Sequence, residues 1–299
     1  MTKLVTLAAA DSRVVLAPEI GGSIASWTQG SRPIMRPLAD GTLAENLPRS
    51  LASYPLFPFS GRVANRQFSF DGTTYELPAL LNGHAIHGCG WQEIWQIEDA
   101  DKRSATMRLD HQPNALWPFA FVATQRFTLS ADRLVVDVMI ENRHDRPAPA
   151  GFGLHPFFPR SPQATLQLHT DHVWPNGADK TPTAKITPPA KWDFSTGLPV
   201  GADFVDNCFG GWDGRACLTY PDLGYRVRIE ADQELRHVVV FVPDGQSFFC
   251  VEPVSHMPDA LNRLTTEPTQ GMVVLGRNQR LTSQARFIVE SLAPVSAMR

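Results

Sequence analysis

Long apolar runs are missing from this chain. None approaches the roughly 20 residues that a membrane-spanning helix needs, which argues against a membrane partner. Cysteine is scarce. Cys89, Cys208, Cys217 and Cys250 show no CxxC spacing, and four cysteines in 299 residues do not make a disulfide scaffold. The reading is a reducing, cytoplasmic compartment. Clustered positive charge is missing too: the formal net charge is −3 and no Lys/Arg run stands out, which argues against a nucleic-acid or polyanion partner. There is no G-x-S-x-G nucleophile turn, no Gly-rich dinucleotide fingerprint and no P-loop. The N-terminal run has one lysine and is broken at Thr6, so it reads as an opening strand (Leu4, Thr6, Ala8) and not as a secretory signal. No repeat, linker or domain boundary is visible, and the expectation is a single domain over residues 1–299. The sequence carries no sign of an oligomeric state.

What the chain does have is short apolar runs set among turn residues. Apolar residues make up 43%, enough for a sizeable core, and 25 Pro and 21 Gly lie between the runs. No helical period lasts more than a few turns. The clearest alternating pair is Phe121 to Leu129 with Leu134 to Ile140, turning at Ala131-Asp132. In it Leu134, Val136 and Val138 point one way, and Val135, Asp137 and Met139 the other. Glu93 to Ile97 pairs with Ala105 to Leu109, and further strands are expected at 216–220, 225–229, 238–242 and 248–251. Residues 32–48 form a loop, residues 173–203 a longer Pro-rich one suited to covering a site, and Pro258 to Leu264 a helical turn or more. The pattern is all-β, two antiparallel sheets packed face to face.

The chain is organised around the stretch from Gly61 to Trp91. Phe68 to Phe70 and Thr73 to Leu77 flank Asp71-Gly72, the residues of a type I′ hairpin turn. A two-stranded ribbon joins its outer ends, so Arg66 before it and His87 after it can face one site. A surface hairpin that carries both residues by chance is the plain alternative. His84, His87 and Cys89 are close enough to suggest metal ligands, but the second pair of a usual zinc site is missing, so no metal is expected. His155 follows glycines and precedes Pro156, which favours extended backbone; it reads either as a ligand-facing histidine or as a core one. Glu252 ends an apolar strand, where desolvation raises a carboxyl pKa toward a range useful for proton transfer; a structural carboxylate is the alternative. Asp206 opens Asp-Asn-Cys-Phe-Gly-Gly-Trp, which is also ordinary turn chemistry. Phe209 and Trp212 could offer a sugar an apolar face, though core packing suits them better.

Gly61-Arg-Val-Ala-Asn-Arg66, the hairpin and Ile86-His-Gly88 resemble the aldose 1-epimerase family, the galactose mutarotases. Gly153-Leu-His-Pro-Phe157, Asp206-Asn-Cys-Phe209 and Val251-Glu-Pro253 with Pro258-Asp-Ala-Leu-Asn262 resemble it in the same order. The resemblance implies a large antiparallel β-sandwich (a β-supersandwich) that interconverts the α and β anomers of an aldose without a cofactor. It carries the general base onto Glu252 and the general acid onto His155, on opposite sides of the sugar. His87 and Arg66 would steady the ring oxygen and nearby hydroxyls, and Asn65 and Asp206 would orient the sugar. Cys89-Gly-Trp91 and Pro253-Val-Ser-His256 depart from the usual continuations beside the expected pocket, so the identity of the sugar stays open. The lack of a clustered cationic motif favours a neutral hexose. The alternatives are a hexose 6-phosphate, with Arg13, Arg36 and Arg62 as candidate phosphate partners, and a sugar-binding protein without catalysis.

Overall fold

Alternating side chains decide which face of each strand is buried. In the strand Arg133–Asn142, Leu134, Val136, Val138 and Ile140 are buried while Val135, Asp137 and Met139 are half-buried, as the sequence pattern predicts. Phe121–Leu129 pairs with it antiparallel, with Leu129 opposite Leu134. The structure, a computed structural model, describes residues 3–80, 83–201 and 203–292.

Most strands fall into two large antiparallel sheets. One has ten strands, in the order Val5–Ala9, Ser12–Ala17, Ser23–Gln29, Ser53–Leu56, Gly153–Pro159, Phe248–Val254, His237–Val242, Val205–Gly210 and His172–Trp174, with Arg32–Pro33 added beside Ser23–Gln29. The other has nine, running from Gln96–Ala100 through Ser104–His111, Phe121–Leu129, Arg133–Asn142, Arg280–Ser291, Tyr225–Ala231, Arg215–Tyr220 and Thr165–Leu168 to Leu198–Pro199. Their facing side chains share one core: Phe158, Val238, Val240, Phe249 and Val251 from the first sheet meet Phe127, Leu134, Val136, Val227 and Phe287 from the second. The first sheet also buries part of its other face. There Tyr54, Leu56, Phe157, Cys250 and Val254 form a separate cluster with Trp91, Phe241 and Phe248 packed around it. That second buried face is where the chemistry-bearing side chains collect.

The hairpin forms as its turn residues require. Gln67–Phe70 and Thr73–Glu76 pair in register, and Asp71 (φ 50°) and Gly72 (φ 74°) are both left-handed. Other expectations shift. Glu93 lies ahead of its strand, which begins at Gln96, because the preceding residues Gly90–Gln92 make a short 3-10 turn. Residues 258–264 hold a single 3-10 turn, Ala260–Asn262. The long segment after 173 is largely irregular, with short turns at Ala190–Trp192 and Phe194–Thr196. Among the described residues no helix is long and apolar enough to cross a membrane.

Candidate active site

Strand register assembles the site. Gly153 pairs with Val254 and Phe157 with Cys250, so His155, midway between, stands opposite Glu252. His155 pairs on its other side with Tyr54, Glu252 with Val239, and Val239 with Cys208. One step along the strands, Phe157, Cys250, Phe241 and Asp206 form a parallel row. Side chains two residues apart share a face, so both rows face away from the core between the sheets. Most of them line a cavity of about 300 Å³, at the lower end of the range for small-molecule sites. The segments that cover the cavity contribute Arg49, Arg62, His87, Trp91 and Asn176.

His155 and Glu252 are 7% and 2% exposed, and Nε2 of the one lies 3.3 Å from Oε1 of the other. Tyr54 (centroids 4.5 Å apart) and Phe157 (4.6 Å) both pack against the imidazole, and with 6.1 Å between their own centroids they crowd it from neighbouring sides, which restricts its rotation. Its Nδ1 is buried and has no hydrogen-bond partner among the described residues. Burial pushes the imidazole pKa down to about 3, and the charge of Arg36 adds to the fall. Burial also raises the Glu252 carboxyl well above its ordinary range; the charge of Asp206 adds to this and that of Arg62 opposes it. A separation of 3.3 Å would suit an ion pair. Burial disfavours the charged form of each partner, so the contact is better described as a neutral imidazole against a protonated carboxyl. Either way the pair holds one proton, and it titrates as a unit.

The sequence reading puts His155 and Glu252 on opposite sides of a sugar; the structure sets them side by side on adjoining strands, in the same wall of the cavity.

His87 reaches the cavity through a tight turn. It is itself left-handed (φ 63°), and Gly88 follows at φ 69°, where a Cβ would lie 2.0 Å from the Phe57 carbonyl oxygen. Only glycine fits there. The Gly61 N–H donates to His87 Nδ1 at 3.2 Å, so Nε2 carries the proton and is a donor for the cavity. The ring stands edge-on to His155 at 5.3 Å. Its pKa is driven well down by burial, then by His155 and Arg62. Asp206 is half-buried on the strand Val205–Gly210 and lines the cavity.

Two expected residues are not brought in. Asn65 and Arg66 are both left-handed, at φ 52° and 63°, and this turn swings their side chains outward. Arg66 makes an exposed ion pair with Glu76 at 2.8 Å, and Asn65 is exposed, with its backbone N–H donating to His84 Nδ1. A separate short ribbon, Arg62–Val63 with Ala85–Ile86, makes the connection instead: Arg62 pairs with Ile86, next to His87, and Arg62 lines the cavity. Arg62 donates to the Lys180 carbonyl at 3.5 Å, while its Nε is buried without a partner among the described residues. Arg13 contacts Thr6 in an exposed position. Arg36 is held by the carbonyls of Arg49 and Leu51 and lies 3.8 Å over the Phe157 ring. Neither lines the cavity.

Phe209 and Trp212 are buried in the core between the sheets, so the aromatic walls are Tyr54, Trp91, Phe157, Phe241 and Phe248. Sequence reasoning missed Tyr54, Trp91 and Arg49. Trp91 had a signal in its place directly after His-Gly-Cys-Gly. Tyr54 and Arg49 had none. His84 and His87 do not converge on a shared ligand, because the His84 ring contacts the Asn65 N–H and the Asp179 carbonyl.

Residues 3–287 match the family described as aldose 1-epimerase. Over 283 residues the chain is 29% identical to the uncharacterized protein YphB of Escherichia coli K12, covering 91% of this chain and 94% of that one. A crystal structure described as a candidate aldose 1-epimerase from Escherichia coli K12 superposes with a TM-score of 0.88 at 27% identity, over 98% of this chain and 100% of that one. The galactose 1-epimerase of Lactobacillus acidophilus NCFM has the same fold, with a TM-score of 0.78 at 15% identity over 97% of this chain and 95% of that one.

Proposed function

The chain belongs to the aldose 1-epimerase family, and from that premise we propose that it interconverts the α and β anomers of a neutral hexose by acid–base ring opening and closure. The observation that carries the reading is His155 facing Glu252 across adjoining strands inside a walled cavity. The hydroxyl proton to be removed and the ring oxygen to be protonated both belong to groups bonded to C1. An acid and a base side by side can reach both. With the shared proton on His155, the Glu252 carboxylate takes the C1 hydroxyl proton while the imidazolium protonates the ring oxygen. The C1–C2 bond of the open aldehyde rotates, and the reverse transfers close the ring on the other face of C1. The pair ends with the proton count it began with, so the chemistry needs no cofactor. His87 Nε2–H is suited to donate to a sugar oxygen, where charge develops as the ring opens. Asp206 is suited to accept from a hydroxyl, and the aromatic walls suit the apolar face of a pyranose. The proposal extends to residues 1–299 acting as one domain in the cytoplasm, with a sugar as partner.

The test is polarimetry of freshly dissolved α-galactose and α-glucose with and without the protein. Acceleration in proportion to protein concentration is expected. Sugar binding without acceleration would leave a binding protein.

A second reading, epimerisation of a hexose 6-phosphate, is favoured by Arg62 and Arg49 in the cavity lining. Arginine binds phosphate well, and the unpartnered Arg62 Nε leaves donor capacity free. Comparing kcat/KM for glucose 6-phosphate with that for galactose and glucose separates the two.

A further inference from the structure

We propose that Cys89, Glu93 and His111 bind Zn²⁺ or a similar late first-row divalent cation, at a site separate from the proposed acid–base pair. His111 ends the strand Ser104–His111, second from the edge of the nine-stranded sheet, and is buried; Cys89 is buried in the turn after His87. Three Lewis-basic atoms converge here. Cys89 Sγ lies 3.6 Å and Glu93 Oε1 3.4 Å from His111 Nδ1, and the three ligand atoms all lie within 4.8 Å of one another.

The other nitrogen of His111 settles which way its lone pair points. Nε2 lies 3.0 Å from the Trp117 carbonyl oxygen, which can only accept, so Nε2 carries a proton. In the neutral ring, Nδ1 then presents a lone pair toward a carboxylate oxygen at 3.4 Å. A proton on Nδ1 would make this contact an ordinary ion pair, whereas a cation shared with Cys89 Sγ and Glu93 would satisfy all three atoms at once. A ring nitrogen fixed from behind by a backbone carbonyl is also how metal-bound histidines are usually held. The ring stacks on Phe121 at 4.8 Å, which limits its rotation further.

The distances fit a particular ion. Around tetrahedral Zn²⁺, bonds of about 2.3 Å to sulfur and about 2.0 Å to nitrogen and oxygen separate S from N by about 3.5 Å and N from O by about 3.3 Å. The site has 3.6 and 3.4 Å. A thiolate, a carboxylate and a neutral imidazole balance a divalent charge and mix soft with harder donors, which suits zinc over magnesium or calcium. The Glu93 side chain is 28% exposed, so the fourth position is open to water and the ion has a way in.

A metal here would tie the turn that carries His87 and Trp91 to a strand of the opposite sheet. The described residues hold one other such convergence, His155, Cys250 and Glu252, and it contains the proposed acid–base pair. The experiment has to tell the two apart.

The full chain, kept reduced and stripped with a chelator, is titrated with Zn²⁺ against a chromophoric competitor, and with Co²⁺ under an absorption spectrometer. One equivalent of Zn²⁺ is expected to bind with a micromolar or tighter Kd and to raise the Tm, and the Co²⁺ form should show a thiolate charge-transfer band. Cys89→Ser should remove that band. Glu93→Gln, at a partly exposed position that should fold normally, should weaken Zn²⁺ at least about tenfold, whereas Cys250→Ser should bind like the parent. Absence of binding at 100 µM Zn²⁺ overturns the proposal. So does binding that survives Cys89→Ser and is lost in Cys250→Ser.

Discussion

Replacing Glu252 by glutamine should cost activity and gain stability. Glu252 is 2% exposed, and the only polar contact of its carboxylate among the described residues is His155 Nε2 at 3.3 Å. Glutamine keeps the shape and cannot ionise. For catalysis it is a lost base, worth roughly 10² to 10⁴ in rate. For stability the sign follows from the raised pKa. A carboxyl whose folded pKa lies above the ordinary 4.5 contributes fully below 4.5, and that contribution is lost as pH climbs toward the folded value. The slope for one proton is about 1.4 kcal/mol per pH unit. Glutamine escapes this loss, so Glu252→Gln and the parent should melt alike near pH 4.5, and the variant should melt higher at pH 7.5. In a chain of this size about 1 kcal/mol moves the midpoint by about 2 °C, so a difference of a few degrees is readily measured. Activity is read by polarimetry and stability by thermal melts across that pH range. A variant that keeps near-parental mutarotation, or one that melts lower than the parent at pH 7.5, refutes the reasoning.

His155→Asn should likewise cost roughly 10² to 10⁴ in mutarotation rate. Its parent histidine, with a pKa near 3 in place of 6.5, contributes fully above pH 6.5 and loses that contribution as pH falls toward 3, so the acid side of the stability curve should flatten in the variant; an unchanged acid limb in melts from pH 7 to pH 4 argues against a buried neutral imidazole. Arg66→Ala should leave kcat/KM within about twofold, since exposed ion pairs contribute about 0–1 kcal/mol; a tenfold loss would return Arg66 to the site. Gly88→Ala should destabilise by about 1–3 kcal/mol or more, since it meets the Phe57 carbonyl at positive φ, and a melt within 1 °C of the parent would contradict the turn geometry. At fixed ionic strength glucose 6-phosphate should show a lower kcat/KM than galactose or glucose. A tenfold preference for it, about 1.4 kcal/mol, would favour the second reading, and Arg62→Gln would then have to erase it.

Local chemistry was legible in the chain, and spatial order was not. Asp71-Gly72 specified its hairpin because only left-handed residues close that turn. Leu134, Val136 and Val138 announced their face by period alone. His155 and Glu252 stood out through Pro156 and the apolar run before Glu252, with the family resemblance supplying their roles. Nothing local says that Ser53–Leu56 lies beside Gly153–Pro159, so Tyr54 against His155 could not be foreseen. The choice between Arg62 and Arg66 depended on two left-handed residues in a non-glycine turn, which sequence rules treat as uncommon. Cys89, Glu93 and His111 follow no ligand spacing because the last comes from the other sheet.

The proposed acid–base pair is held in place by residues on the far side of its strands, away from the cavity. Along Phe248–Val254, Phe249 and Val251 point into the core between the sheets, while Cys250 and Glu252 point the other way. A slip of one residue would exchange the faces. Glu252 would enter the apolar core and Val251 would meet His155. Burial of Phe249 and Val251 stabilises the native register by about 1.5–3 kcal/mol for each side chain, and a carboxyl driven into that core would add a further penalty. His155 is fixed in the same way, by Leu154 and Phe158 on the opposite face of its strand. The pair is therefore set by core packing independently of any ligand, and the burial that holds it also raises one pKa and lowers the other. That explains why a proton-sharing pair can sit in the middle of a sheet, where neither strand can relax to resolvate it without breaking the pairing on both sides.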